Sequence, residues 1–120
     1  MFMKKERISE KPNLNEWLAA LKAQGFTKKN AKLWRDAYSF ASRPRRKMIT
    51  VNLARLSKIA NPGESIVVPG KVLGSGRVSL KFNIAAIEYS LSALEKLRSS
   101  GCTIESISQA IEKENVRLVV

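Results

Sequence analysis

The sequence predicts a compact single α/β domain with a helical section at its N-terminal end. Three observations carry this. The chain has 120 residues and 44% hydrophobic content, enough for one modest core without disulfide staples. Apolar residues recur at helical spacing in the first third and with period two further on. Connections between these segments are short, so the elements must pack on one another.

Residues 1–12 read as a basic flexible arm, with Lys4, Lys5, Arg7 and Lys11 among few apolar anchors. Residues 13–120 form the domain: 13–47 a helical basic section, 48–120 the α/β core. Asn13 with Glu16 three residues on suits a capping box. Leu14, Trp17, Leu18 and Leu21 then make one buried helical face, closed by Gly25. Thr27 can cap a second helix with Trp34, Ala37, Tyr38 and Ala41 inward. Pro44 stops it, because proline disfavours helical geometry at the residue before it. Ser42 to Lys47 follows as an extended cationic linker, and Met48 to Val51 as a short strand. Asn52 can cap a helix bearing Leu53, Leu56 and Ala60. Ile66 to Val68 reads as a short buried strand, and Pro69 to Gly76 as a glycine-rich loop. Val78, Leu80, Phe82 and Ile84 alternate with Ser79, Lys81 and Asn83, the clearest period-two strand in the chain. Ser90 or Ser92 caps a helix carrying Leu91, Leu94 and Leu97, closed by Gly101. Thr103 caps another with Ile104, Ile107 and Ile111 inward, and Val116 to Val120 forms a last strand.

Charge narrows the function. There are 22 Lys/Arg against 10 Asp/Glu, a formal net charge of +12. A compact body so charged repels itself unless something anionic neutralises it. Residues 1–47 hold 13 Lys/Arg and 4 Asp/Glu, whereas residues 83–120 hold 4 and 5. A polyanion is therefore expected against the N-terminal two-thirds, and protein or solvent against the last third. Lys28, Lys29, Lys32 and Arg35 crowd the N-terminal half of the second helix, where the helix dipole prefers anions. That placement fits either a bound phosphate or a solvated face.

Catalytic readings find little support. Histidine is absent and the single cysteine, Cys102, reads as a core filler. That removes the commonest general acid–base group and any ordinary structural zinc site. Gly70, Gly74 and Gly76 match neither a Walker loop nor a dinucleotide fingerprint: Lys71 follows the first glycine, and Gly76 leads through Arg77 into a strand. The loop is either a nest of backbone N–H groups for a phosphate, flanked by Lys71, Arg77 and Lys81, or a tight turn whose glycines only supply positive φ. No cofactor, metal or small-molecule substrate is expected. No apolar run approaches the roughly 20 residues of a membrane span, and residues 1–12 lack a secretory core, so a cytoplasmic protein without membrane contact is expected. Nothing supplies a dimer seam, so no homo-oligomer is expected. Cations spread over an arm, a helix, a linker and a loop suit a folded RNA, which is read by shape and phosphate. A free-standing nucleic-acid regulator and a nucleotide-acting enzyme are the rival readings.

Particular residues sharpen this. Arg43-Pro44-Arg45-Arg46, Val51-Asn52-Leu53 and Val67-Val68-Pro69-Gly70-Lys71-Val72-Leu73-Gly74-Ser75-Gly76 closely resemble the large-subunit ribosomal protein eighteen-e family of archaea and eukaryotes. That family is related to bacterial large-subunit ribosomal protein fifteen. Trp34-Arg35-Asp36-Ala37, Ala85-Ala86, Ser90 and Val116-Arg117 match as well. The resemblance runs from about Asn13 to the C-terminus, and the short length looks like the archaeal form. It implies irregular β-β-α superhelical turns behind a helical extension, and assembly with ribosomal RNA and neighbouring large-subunit proteins. Arg43, Arg45, Arg46 and Asn52 fall in the family's basic linker motif, and Lys71, Gly74, Ser75 and Gly76 in its glycine loop. With Lys28, Lys29, Lys32, Arg35, Lys47, Arg55, Arg77 and Lys81, these are the candidate RNA-binding residues. Thr50 stands where the family often carries a charge, and Glu114-Asn115 shortens the turn before the last strand.

Overall fold

The computed structural model describes residues 14–24, 31–113 and 115–120. The expected arm over 1–12, and the expected roles of Asn13, Gly25 and Thr27, lie outside them. The order is α1 (Leu14–Ala23), α2 (Ala31–Ala41), a 3-10 turn (Arg45–Lys47), β1 (Ile49–Asn52), α3 (Leu53–Ile59), β2 (Ser65–Leu73), β3 (Asn83–Tyr89), α4 (Leu91–Ser99), β4 (Thr103–Ile104), α5 (Ile107–Ile111) and β5 (Val116–Leu118).

Every strand pairing is parallel. The long strand β2 is central, with β3 along one edge. β1 lies against the C-terminal half of its other edge, Ile49 opposite Gly70 through Asn52 opposite Leu73. β5 takes the N-terminal half of that same edge, Ser65 opposite Val116 through Val67 opposite Leu118. Parallel strands need crossovers, and here helices cover both faces of the sheet. Ile66, Val68, Val72, Ile84 and Ala86 face α3 and α4 through Leu53, Leu56, Leu94 and Leu97. Val67, Ala85 and Ile87 face α1, α2 and α5 through Trp17, Leu21, Trp34, Ile107 and Ile111. Because both faces are buried, Ile66-Val67-Val68 and Ile84-Ala85-Ala86-Ile87 are unbroken apolar runs rather than alternating ones. The helical section is thus one layer of a three-layer α/β/α body.

Trp17 and Trp34 are fully buried, and their indole N–H groups meet no acceptor among the described residues. Each orphan donor costs about 1–3 kcal/mol. Burying about 150–250 Å² per ring contributes roughly 4–6 kcal/mol, so the area term wins.

Four expectations change. β2 runs on through Pro69 to Leu73, so the loop begins only at Gly74. The sheet tolerates Pro69 because the register to β3 shifts between Val68 and Lys71, a bulge that releases the ladder bond proline cannot make. Residues 78–82 alternate in burial as expected but join no ladder; β3 starts at Asn83. The carbonyls of that segment go to other donors instead: Val78 O to Ser100 Oγ, Leu80 O to Cys102 Sγ and Phe82 O to Thr103 N. The cap of α5 is Ser106, in a capping box with Gln109, while Thr103 and Ile104 form β4. The linker tightens into a 3-10 turn at Arg45–Lys47, with Lys47 N donating to Pro44 O at 2.8 Å. Ser90, rather than Ser92, caps α4.

Candidate nucleic-acid interface

The C-terminal ends of β1, β2 and β3 align, since Asn52 lies opposite Leu73 and Val72 opposite Tyr89. At this edge α3 and α4 begin and the glycine loop crosses between them. Asn52 Oδ1 accepts from Arg55 N at 2.9 Å, and Ser90 Oγ from Ala93 N at 3.2 Å. Both helices therefore start with a capped first turn.

The loop is seated on those turns. A Cβ on Gly74 would stand 1.9 Å from Ser92 Oγ and 2.9 Å from Ala93 N. Gly76 has φ +102°, and a Cβ there would stand 2.5 Å from Ala54 N. Only glycine permits both approaches. Ala54 N donates to Ser75 O at 2.9 Å, and Lys96 Nζ donates to Gly74 O at 2.7 Å and to Gly76 O at 2.9 Å. Three consecutive carbonyls are thus held by the body. In a trans peptide the N–H points opposite to its carbonyl. The N–H groups of Ser75, Gly76 and Arg77 are therefore turned away from those donors, and they meet no acceptor among the described residues. Arg77 is exposed beside them, and so is Arg55, whose Nη2 donates to Val120 O at 3.1 Å. Lys81 is exposed at the other end of the sheet, where its carbonyl accepts from Gly63 N at 2.8 Å and its side chain lies against Gly101.

The basic linker motif lies elsewhere. Its turn leads into β1, whose four residues rise about 3.3 Å each and separate it from the loop. The two motifs occupy opposite ends of one strand. Arg43, Arg46 and Lys47 are exposed, and the Arg43 guanidinium stands 4.8 Å from the Phe40 ring centre. Arg45 belongs to the same turn. Lys32 and Arg35 are exposed on α2, in the other helical layer; Lys32 reaches Asp36 at 3.7 Å. Lys28 and Lys29 lie outside the described residues. Lys71 is half-buried and pairs with the buried Glu88 at 3.4 Å.

Ion pairing divides the cations. In the last third, Lys113 pairs with Glu105 and Arg117 with Glu64. Arg43, Arg46, Lys47, Arg55, Arg77, Lys81 and Lys96 form no ion pair with a described carboxylate. Lys96 is the residue that sequence reasoning missed: it sits among exposed positions in the second half of α4, and no local signal ties it to a loop 20 residues earlier. Cys102 is buried, and burial raises its thiol above the ordinary value, away from reactive thiolate behaviour. Among the described residues there is no cluster suited to a metal ion, and no helix is long and apolar enough to cross a membrane.

Fold and surface together define a small basic α/β protein with carboxylate-free cations at both ends of β1. No family model matches the chain. It is 45% identical over 85 residues to large ribosomal subunit protein eL18 of Thermoplasma acidophilum, covering 71% of this chain and 70% of that protein. It is 36% identical over 114 residues to the eL18 protein of Archaeoglobus fulgidus, covering 91% and 96%. With the eL18 protein of Haloarcula marismortui the identity is 38% over 101 residues, 84% and 85% of the two chains. The chain belongs to the large ribosomal subunit protein eL18 family.

Proposed function

We propose that this protein is a structural, non-catalytic constituent of the large ribosomal subunit in the cytoplasm, where it binds ribosomal RNA and packs beside neighbouring large-subunit proteins. The observation that carries the reading is that the N–H groups of Ser75, Gly76 and Arg77 meet no acceptor among the described residues, with Arg55 and Arg77, which no described carboxylate neutralises, exposed at the same loop. Peptide N–H groups and guanidinium forks both suit phosphate oxygens. In this reading the RNA backbone lies along the glycine loop with Arg55 and Arg77, and again at the turn with Arg43, Arg45, Arg46 and Lys47; Lys81, just before β3, is a separate contact. Lys28, Lys29, Lys32 and Arg35 extend the basic surface. Asn52 and Lys71 act indirectly, one as a helix cap and one as the partner of Glu88. Residues 1–12 are a basic arm on a single domain over 13–120, and kinship with bacterial large-subunit ribosomal protein fifteen belongs to the same reading.

The test is sedimentation of the native host's lysate through a sucrose gradient, with immunoblotting for this chain. The expected signal follows the large subunit and intact ribosomes through a moderate salt wash. A signal confined to the top of the gradient would refute the assignment.

A further inference from the structure

We propose that Lys96 is a positioning residue for RNA binding: it clips the glycine loop into the conformation that presents its N–H groups, without itself contacting phosphate. The inference rests on the reading that this loop meets RNA. Lys96 and Ser92 are four residues apart on α4 and so lie on one helical face. Ser92 stops the loop at Gly74, and one turn later the Lys96 ammonium gathers the carbonyls of Gly74 and Gly76. A single cation bonded to carbonyls two residues apart fixes the planes of both their peptides, 74–75 and 76–77. Charge-assisted bonds of this kind are about twice as strong as neutral ones. An ammonium has three donors, and two are already committed here. Ser75 O, between them, is held separately by Ala54 N. Losing the clip would free the peptides that orient the N–H groups of Ser75 and Arg77, while the Ala54 contact stayed.

Positioning and direct contact leave different marks on salt dependence. Each phosphate neutralised by a protein cation adds about 0.7–0.9 to the slope of log affinity against log salt. A cation that binds protein carbonyls adds nothing to that slope; one that binds phosphate does. The measurement is filter binding of the full chain to protein-free large-subunit ribosomal RNA between about 50 and 200 mM salt. Lys96→Met is compared with Lys96→Arg, with Lys58→Met as a control for loss of an exposed cation on α3, and with Arg77→Met. Circular dichroism melts fix a temperature at which every variant is folded.

Lys96→Met is expected to lower affinity about tenfold, the scale of one charge-assisted hydrogen bond, with the wild-type slope. Lys96→Arg should recover most of the loss, and Lys58→Met should change affinity less than twofold. A slope lowered by about one phosphate in Lys96→Met would make Lys96 a direct ligand and overturn the proposal. Unchanged affinity in Lys96→Met, with Arg77→Met impaired, would overturn the clip and keep the loop as the RNA contact. If Arg77→Met were also silent, the loop would not meet RNA, and both readings would fall.

Discussion

Replacing Gly76 by alanine should destabilise the fold well beyond an ordinary glycine change, because two penalties coincide. The backbone at Gly76 has φ +102°. An L side chain there costs about 1–2 kcal/mol. The added Cβ would also stand 2.5 Å from Ala54 N, 2.6 Å from Ala54 Cβ and 2.7 Å from Ala54 Cα. These atoms belong to the first turn of α3, which cannot swing aside like the tip of a long side chain. Overpacking of that kind costs about 1–3 kcal/mol. The sum is about 2–5 kcal/mol, a large share of the 5–15 kcal/mol typical of a domain. Gly63 supplies the internal control: its φ is +77°, but nothing lies within 4 Å of a Cβ built on it. Gly63→Ala should therefore cost only the backbone part, about 1–2 kcal/mol. Urea unfolding, compared at constant m-value, measures both. Equal destabilisation of the two variants would mean that the loop backs away from α3 at no cost. The loop would then not be held, and the geometry assigned to its N–H groups would be wrong.

Arg45→Ala combined with Arg46→Ala should weaken binding to large-subunit ribosomal RNA and lower the salt slope by about 1.4–1.8, two phosphates' worth, with little change in melting temperature; normal binding would remove the turn from the interface. Asn52→Ala removes the acceptor of Arg55 N and should cost about 1 kcal/mol in urea, with RNA affinity falling no further than the loop's disturbance requires. Tyr89 Oη accepts from the buried N–H of Ala86, and burial raises the phenol far above its ordinary value. The neutral form is the one that the fold favours, so this contribution is complete below about pH 10 and is lost as pH rises further, by about 1.4 kcal/mol per unit. In Tyr89→Phe, alkaline stability should fall less steeply than in wild type, from a start lowered by about 1–3 kcal/mol for the orphaned N–H; identical slopes above pH 10 would refute the assignment.

The sequence by itself determined the class of fold, the helix faces and the uneven charge along the chain. Local physics suffices for these. Helical spacing at Trp17 and Leu21, or at Trp34, Ala37 and Ala41, reports one buried face wherever the helix packs. Asn52 and Ser90 cap their helices through bonds to residues three positions on, which composition and spacing reveal. The excess of cations before residue 48 is a matter of counting. What the tertiary structure decided is which residues meet across long separations. A proline and a glycine suggested a break at Pro69, yet a bulge against β3 carries the strand to Leu73. Alternation over 78–82 reported half-burial correctly but not pairing, since side chains of Ser100 and Cys102 take the carbonyls that a neighbouring strand would otherwise take. Glycines at 74 and 76 can be read as a tight turn, which local pattern favours, or as a phosphate nest. Their seating against α3 and α4, and the grip of Lys96 from 20 residues away, depend on how parallel strand ends align, and no local pattern encodes that alignment.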